Sequence, residues 1–130
     1  MTTPPSRVLI IDDDEATIQT FARVLRLEGH EVRTALDAEA GLREALIEAP
    51  DAIIVDLRMP LINGLGFLYR LRAQEQYHDT PVAIVTGDYY LDEAQAAEIH
   101  ALGAELRYKP LWLEELVTLA RELLNISVRD

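Results

Sequence analysis

The sequence predicts an α/β fold in one domain, with a mainly parallel sheet covered by helices on both faces. Three observations carry this reading. Val8-Leu9-Ile10-Ile11, Ala52-Ile53-Ile54-Val55 and Pro81-Val82-Ala83-Ile84-Val85 are strand-length apolar runs without alternation, the pattern of strands buried on both faces. The stretches between them carry apolar residues at helical spacing. Strand and helix patterns alternate five times with no repeat signature and no internal linker, which suits a chain that crosses back over one sheet after each strand.

The first run ends in Asp12-Asp13-Asp14-Glu15, after which Ala16, Ile18, Phe21, Val24 and Leu25 mark a helix that Gly29 closes. Residues 31–35 form a short second strand. Asp37 can cap a second helix whose apolar face is Ala40, Leu42, Ala45 and Leu46, and Pro50 stops it. The third strand is ended by Asp56, and Pro60 with Gly64 marks the loop before a helix carrying Leu65, Leu68, Tyr69 and Leu71. Thr86-Gly87-Asp88 follows the fourth strand and leads into a helix over about 91–102. Residues 105–108 read as a fifth strand, and after Lys109-Pro110 a closing amphipathic helix carries Leu113, Leu116, Val117, Ala120, Leu123 and Leu124. The domain is expected over residues 7–126, with short tails at 1–6 and 127–130.

A length of 130 residues suits one domain with a real core. Hydrophobic residues make up 49% and charged residues 27%, and no apolar run reaches membrane-spanning length. The absence of cysteine excludes disulfides and thiolate metal sites, and fits a reducing compartment, with the cytoplasm as the default. The first residues include Pro4 and Pro5 and lack the layout of a signal peptide. A formal charge of -11 opposes nucleic-acid binding by this domain, because phosphate contacts need a basic face. Lys109 is the only lysine.

In folds of this class ligands sit outside the carboxyl ends of the strands, where strand order switches. Asp12 and Asp13 follow the first strand, Asp56 the third, Thr86 the fourth and Lys109 the fifth, so four segments converge on one rim. Three carboxylates gathered there repel one another unless a cation sits among them. An oxygen-only ligand set favours Mg2+ over Zn2+. Lys109 offers a point charge and Thr86 a hydroxyl to phosphoryl oxygens, so the rim has the parts for phosphoryl transfer. With no serine, histidine or cysteine in the set, the available nucleophile is a carboxylate, and Asp56 stands alone whereas Asp12 and Asp13 are paired like metal ligands. Each residue has a plainer role in isolation: a helix start for Asp12 to Asp14, a cap for Asp56, an ordinary surface position for Lys109. Leu111, Trp112 and Leu113 are expected to pack, Tyr89 and Tyr90 to flank the fourth helix, and His30, His78 and His100 to have no role in the site.

Val8-Leu9-Ile10-Ile11-Asp12-Asp13-Asp14, Ile53-Ile54-Val55-Asp56-Leu57-Arg58-Met59-Pro60 with Asn63-Gly64, Val85-Thr86-Gly87, and Lys109-Pro110 together resemble the four signatures of response-regulator receiver domains, in order and nearly in spacing. The resemblance implies a doubly wound (βα)5 flavodoxin-like sheet with strand order 2-1-3-4-5. It implies Asp56 as phosphoacceptor, Asp12 and Asp13 organising Mg2+ with Asp13 as the direct ligand, and the Arg58 backbone carbonyl completing the protein's share of the metal shell. It further implies that Lys109 contacts the phosphoryl group across a cis bond to Pro110, and that Thr86 swings inward to bind it. The partners implied are a sensor histidine kinase or histidine phosphotransfer protein and a downstream output domain or protein. The chain itself is expected to be a signalling module, monomeric or weakly dimeric through the face of the fourth helix, fifth strand and fifth helix, able to phosphorylate itself from small phosphodonors.

One departure stands out. Receiver domains often carry an aromatic switch residue three positions before the lysine, where this chain has Leu106, and the stretch from Gly103 to Lys109 is one residue short. The usual coupling of threonine to aromatic is therefore expected to be weakened or rerouted, with Tyr108 facing elsewhere. Arg58 and Asp88 stand where they can help or hinder an attacking water. Two other functions fit parts of the pattern: an Mg2+-dependent phosphohydrolase using Asp12 and Asp14 as nucleophile and acid, and a receiver-like interaction module without phosphorylation.

Overall fold

A computed structural model describes residues 4–125, so residues 1–3, residue 126 and the tail expected at 127–130 lie outside it. Five parallel strands, β1 (Arg7–Ile11), β2 (Glu31–Ala35), β3 (Ala52–Asp56), β4 (Val82–Thr86) and β5 (Ala104–Tyr108), lie in the order β2-β1-β3-β4-β5. Five helices connect and cover them: α1 (Glu15–Leu27), α2 (Ala38–Ile47), α3 (Gly64–Arg72), α4 (Glu93–Ala101) and α5 (Leu113–Leu123). The chain moves outward from β1 to β2, then returns across β1 to β3, so the order reverses between β1 and β3 and leaves a crevice above their carboxyl ends.

Alternate strand residues feed two cores. Leu9, Ile11, Ile53, Val55, Val82 and Ile84 pack under α2, α3 and α4. Val8, Ile10, Ala52, Ile54, Ala83 and Val85 pack under α1 and α5. This two-sided burial is why the strands read as unbroken apolar runs. Side-chain caps start four helices, from Asp14 to the Ala16 N–H, Asp37 to Ala40, Asn63 to Gly66 and Asp92 to Ala94, each an interaction typically worth about 1 kcal/mol. Gly29, at φ +95°, takes the left-handed conformation that turns the chain from α1 into β2.

Three apolar faces differ from the sequence reading. On α2 the inward residues are Ala38, Gly41 and Ala45, while Leu46 is exposed. A Cβ on Gly41 would stand 2.4 Å from Ile11 Cδ1, so small residues bring this helix close to the sheet and push the larger ones outward. On α3 the fully buried aromatic is Phe67, whereas Tyr69 points outward and its hydroxyl donates to Glu98 of α4. At the start of α5, Leu111 packs as expected, but Trp112 is 68% exposed and Leu113 is also exposed. A short 3-10 turn at Glu75–Tyr77 buries Tyr77, whose hydroxyl donates to the Ala45 carbonyl at 2.6 Å and ties this turn to α2. At the opposite end of the sheet Arg7 and Arg33 pair with Glu44 and Glu48 at 2.8–3.1 Å, partly exposed contacts worth under about 1 kcal/mol each.

Candidate functional site

The acidic run after β1 divides its work. Asp14 is the helix cap: its carboxylate accepts from the Ala16 N–H at 3.1 Å and the Thr17 hydroxyl at 2.8 Å, which hold its carboxyl below the ordinary range. Asp12 is buried at the strand end, with its own N–H donating to the Ala35 carbonyl at 3.1 Å and its Oδ1 accepting from the Asp14 N–H at 3.0 Å. Asp13 is exposed to solvent. The helix-start reading thus describes Asp14 and leaves two carboxylates for the crevice.

Asp56 closes β3 at 5% exposure. Its depth is set by the turn beyond it, where the Gly64 N–H donates to the Leu57 carbonyl at 2.9 Å and a Cβ on Gly64 would lie 2.6 Å from the Asp56 carbonyl oxygen. Only glycine lets the start of α3 sit this close to the end of β3. One oxygen each from Asp12, Asp13 and Asp56 lie within 4.8 Å of one another. Lys109 reaches in from the end of β5, with Nζ 2.8 Å from Asp56 Oδ1 and 3.6 Å from Asp12 Oδ2. The Lys109–Pro110 peptide is cis.

Burial pushes the carboxyl groups of Asp12 and Asp56 above their ordinary range. Charge repulsion adds to this, from Asp56 on Asp12 and from Asp13 on Asp56, while Lys109 opposes it for both. Burial also works against the Lys109 charge, but the Asp56 and Asp12 carboxylates outweigh it and hold the ammonium above its ordinary pKa. One ammonium therefore faces three acids, a deficit of positive charge that a divalent cation would fill. The donors are all oxygen, one of the three is solvent-facing, and Asp13 and Arg58 line a common depression with Met59 and Pro60, so the residues fit a hard ion that keeps some of its waters.

Thr86 is fully buried at the end of β4, and its Oγ1 accepts from the Asp88 N–H at 3.1 Å. Asp88 forms an ion pair with Arg58, which holds the Asp88 carboxyl below its ordinary range and links the loop after β3 to the loop after β4. A cleft of about 640 Å3 opens beside the carboxylates, walled by Thr17, Thr20 and Phe21 of α1 and by Pro110 and Leu111.

The family model for the response regulator receiver domain matches residues 8–121, nearly the whole sheet-and-helix unit. The chain belongs to the receiver domain family. Among curated relatives of this receiver domain, the transcriptional regulatory protein PrrA of Mycobacterium tuberculosis is 37% identical over 119 residues, covering 92% of this chain and 50% of the relative. The response regulator MprA of Mycolicibacterium vanbaalenii is 32% identical over 126 residues, 97% of this chain and 53% of the relative. The receiver domain thus spans about half the length of the curated relatives it matches. Among solved structures, the chemotaxis protein CheY4 of Vibrio cholerae superposes with a TM-score of 0.84 at 31% identity, over 92% of this chain and 99% of that one. The receiver domain of NtrX from Brucella abortus gives 0.78 at 28% identity, over 92% and 99%.

The receiver domain gathers Asp12, Asp13, Asp56 and Lys109 as their positions at strand ends suggested. Leu106 is half-buried against the core under α4. Tyr108 pairs in register with Thr86, which puts it on the Thr86 side of the sheet; its ring nevertheless lies outward, 40% exposed, stacked on Tyr89. Sequence reasoning missed the structural demand on Gly64 and the Tyr89–Tyr108 pair. The Asn63-Gly64 signature held a clue to the first; no sequence pattern pointed to the second. No helix among the described residues is long and apolar enough to cross a membrane.

Proposed function

We propose that this receiver domain accepts a phosphoryl group on Asp56 from a histidine kinase or histidine phosphotransfer protein, in a Mg2+-dependent reaction, and passes the change to a downstream partner. The observation that carries this is the buried Asp56 carboxylate set among Asp12, Asp13 and Lys109 at the crevice where strand order reverses. An Asp56 carboxylate oxygen attacks phosphorus and the bond from phosphorus to the donor's imidazole nitrogen breaks, so the electron pair leaves with the imidazole. Lys109 exchanges its contact with Asp56 for one with the transferred group, and the Thr86 hydroxyl turns to donate to another phosphoryl oxygen. Asp13, Asp56 and the Arg58 carbonyl would hold the metal, with Asp12 orienting the shell; Mg2+ supplies neutralisation of charge on the transferred oxygens. The cleft between α1 and Pro110-Leu111 gives a phosphodonor its approach.

The domain is assigned to residues 7–126, in the cytoplasm, with an output domain or protein as its target and the α4-β5-α5 face available for weak self-association. No direct nucleic-acid contact is assigned to this domain, given its acidic charge of -11. The phosphohydrolase reading needs Asp14 as a proton donor, and Asp14 is engaged as a cap with its carboxyl held toward the charged form.

Incubation with acetyl phosphate should add one phosphoryl group to the intact mass when Mg2+ is present and none when it is chelated. The reading fails if no adduct forms and beryllofluoride does not bind either. A linked expectation concerns the metal alone. Mg2+ at about ten times its dissociation constant should stabilise the wild type by about 1.4 kcal/mol in thermal melts. Asp13→Asn should lose this gain; a wild-type response retained in that variant would remove Asp13 from the metal site.

The Arg58–Asp88 pair bridges the two loops that flank the acceptor, and its loss should admit water more freely. Arg58→Ala and Asp88→Ala are each expected to shorten the lifetime of the phosphorylated state by about threefold to tenfold, up to about 1.4 kcal/mol in barrier. The double variant should resemble either single one, because both remove the same contact. Unchanged dephosphorylation, followed by loss of the phosphorylated mass, would dismiss the bridge as a control on water.

A further inference from the structure

The position that usually carries an aromatic switch is Leu106, an apolar side chain with no polar tip, lodged against the core under α4. It has no hydroxyl to trade between an inward and an outward partner. Two tyrosines instead pair just beyond β4 and at the end of β5. Tyr89 lies three residues beyond Thr86, its ring stacked on Tyr108 with centroids 5.3 Å apart and planes 13° from parallel, and its hydroxyl donates to the Lys109 carbonyl. Both rings keep a substantial exposed surface and so have room to move.

These contacts belong to one short chain of bonds. Thr86 Oγ1 accepts from the Asp88 N–H at 3.1 Å, Asp88 Oδ1 accepts from the Tyr90 N–H at 3.0 Å, and its other oxygen pairs with Arg58. The Thr86 carbonyl in turn accepts from the Lys109 N–H at 2.8 Å. A Thr86 hydroxyl that rotates toward an occupied Asp56 must leave the Asp88 N–H without its partner. The segment carrying Tyr89 then loses its bond back to the end of β4, and only the Tyr108 stack and the Lys109 carbonyl are left holding Tyr89 against β5.

We infer that Tyr89 and Tyr108 together form the switch of this domain, with occupancy at Asp56 drawing Tyr89 off Tyr108 and off the Lys109 carbonyl. The inference rests on the phosphoacceptor reading of Asp56 and adds the route by which the surface learns of it. The change is a shift between two populations, stacked and unstacked, biased by the extra bond that Thr86 gains in the second. Its outcome is a different aromatic surface at the junction of the β4–α4 loop with β5.

The chain labelled with fluorotyrosine separates the possibilities by fluorine NMR, with signals assigned from single Tyr→Phe variants. Beryllofluoride with Mg2+ is the probe, and its own fluorines report binding in the same spectrum. The Tyr89 and Tyr108 signals are expected to shift together while that of buried Tyr77 stays in place. In Tyr89→Leu the Tyr108 signal should start away from its wild-type position and lose its response to the probe. Bound beryllofluoride with Tyr89 and Tyr108 unmoved would overturn the inference and leave Asp56 as acceptor. Absence of bound fluoride together with absence of an acetyl phosphate adduct would overturn both.

Discussion

Asp56→Asn is expected to abolish phosphoryl uptake from acetyl phosphate and, in the same protein, to raise the stability of the metal-free fold. The first effect follows from removing the nucleophilic carboxylate. The second follows from burial. Asp56 is 5% exposed, and burial together with Asp13 pushes its carboxyl above the ordinary range. A neutral amide of nearly the same shape removes that penalty. Lys109 is not stranded by the change, because Asp12 Oδ2 lies 3.6 Å from its Nζ. The gain should be about 1 kcal/mol, the usual size when a site strained for function is relieved, or about 3 °C in melting temperature.

The pH dependence has a definite sign. The folded wild type holds the Asp56 proton to higher pH than the unfolded chain does, so it binds more protons between the two pKa values and loses stability as pH rises through that window. Burial of Asp12 adds a contribution of the same sign. Melts without metal from acid to neutral pH should therefore show Asp56→Asn and wild type converging toward acid and separating toward neutrality. An asparagine variant less stable than wild type at neutral pH would mean that the Lys109 contact outweighs the burial penalty.

Gly64→Ala is expected to damage fold and chemistry together. The added Cβ would meet the Asp56 carbonyl oxygen at 2.6 Å, Leu57 Cα at 3.0 Å and the Asp56 carbonyl carbon at 3.2 Å. All three are backbone atoms, so relief requires moving the end of β3, and with it the Asp56 carboxylate. Forcing atoms into a packed region typically costs about 1–3 kcal/mol, and the upper part of that range is expected because no flexible side chain can yield. Urea denaturation should show a lower midpoint with an unchanged slope, and phosphoryl uptake should slow. Gly87→Ala provides the contrast: its Cβ would meet only Lys109 Cβ, at 4.0 Å, so stability should stay within about 0.5 kcal/mol. Equal stability losses in the two variants would show that close approach at Gly64 is not the cause.

The strands and the rim were legible because both leave marks in local sequence. A strand buried on two faces must be apolar throughout, and polar residues directly after such runs have nowhere to go but the crevice. Asp12, Asp56 and Thr86 announce themselves in this way, and Lys109 stands out as the only lysine, at a strand end before a proline. Helix faces were less legible because helical spacing names a stripe without its phase. Leu46 satisfies the spacing on α2 as well as Gly41 does, and only the proximity of Ile11 decides that the glycine turns inward. Tyr69 and Phe67 are a similar case, settled by the contact between Tyr69 and Glu98 across two helices. Trp112 and Leu113 read as core by composition, yet α5 turns them to solvent by placing Leu116, Leu119, Ala120 and Leu123 against the sheet. The Tyr89–Tyr108 stack joins residues 19 positions apart through a loop whose path no periodicity encodes.

The ion pairs of Lys109 make it a built-in reporter. Every other basic side chain except the histidines is an arginine, so a reagent that alkylates side-chain amines has a single target, and that target points into the crevice beside Asp56. Reductive methylation with labelled formaldehyde would place one isotopic tag on its Nζ, and only the amine at the start of the chain would share it. The two can be told apart by titration, since an α-amino group loses its proton near neutral pH while the Asp56 and Asp12 carboxylates keep Lys109 charged well beyond that. Occupancy of the crevice can thus be watched from the protein side, through the one lysine ammonium that the Asp56 and Asp12 carboxylates hold.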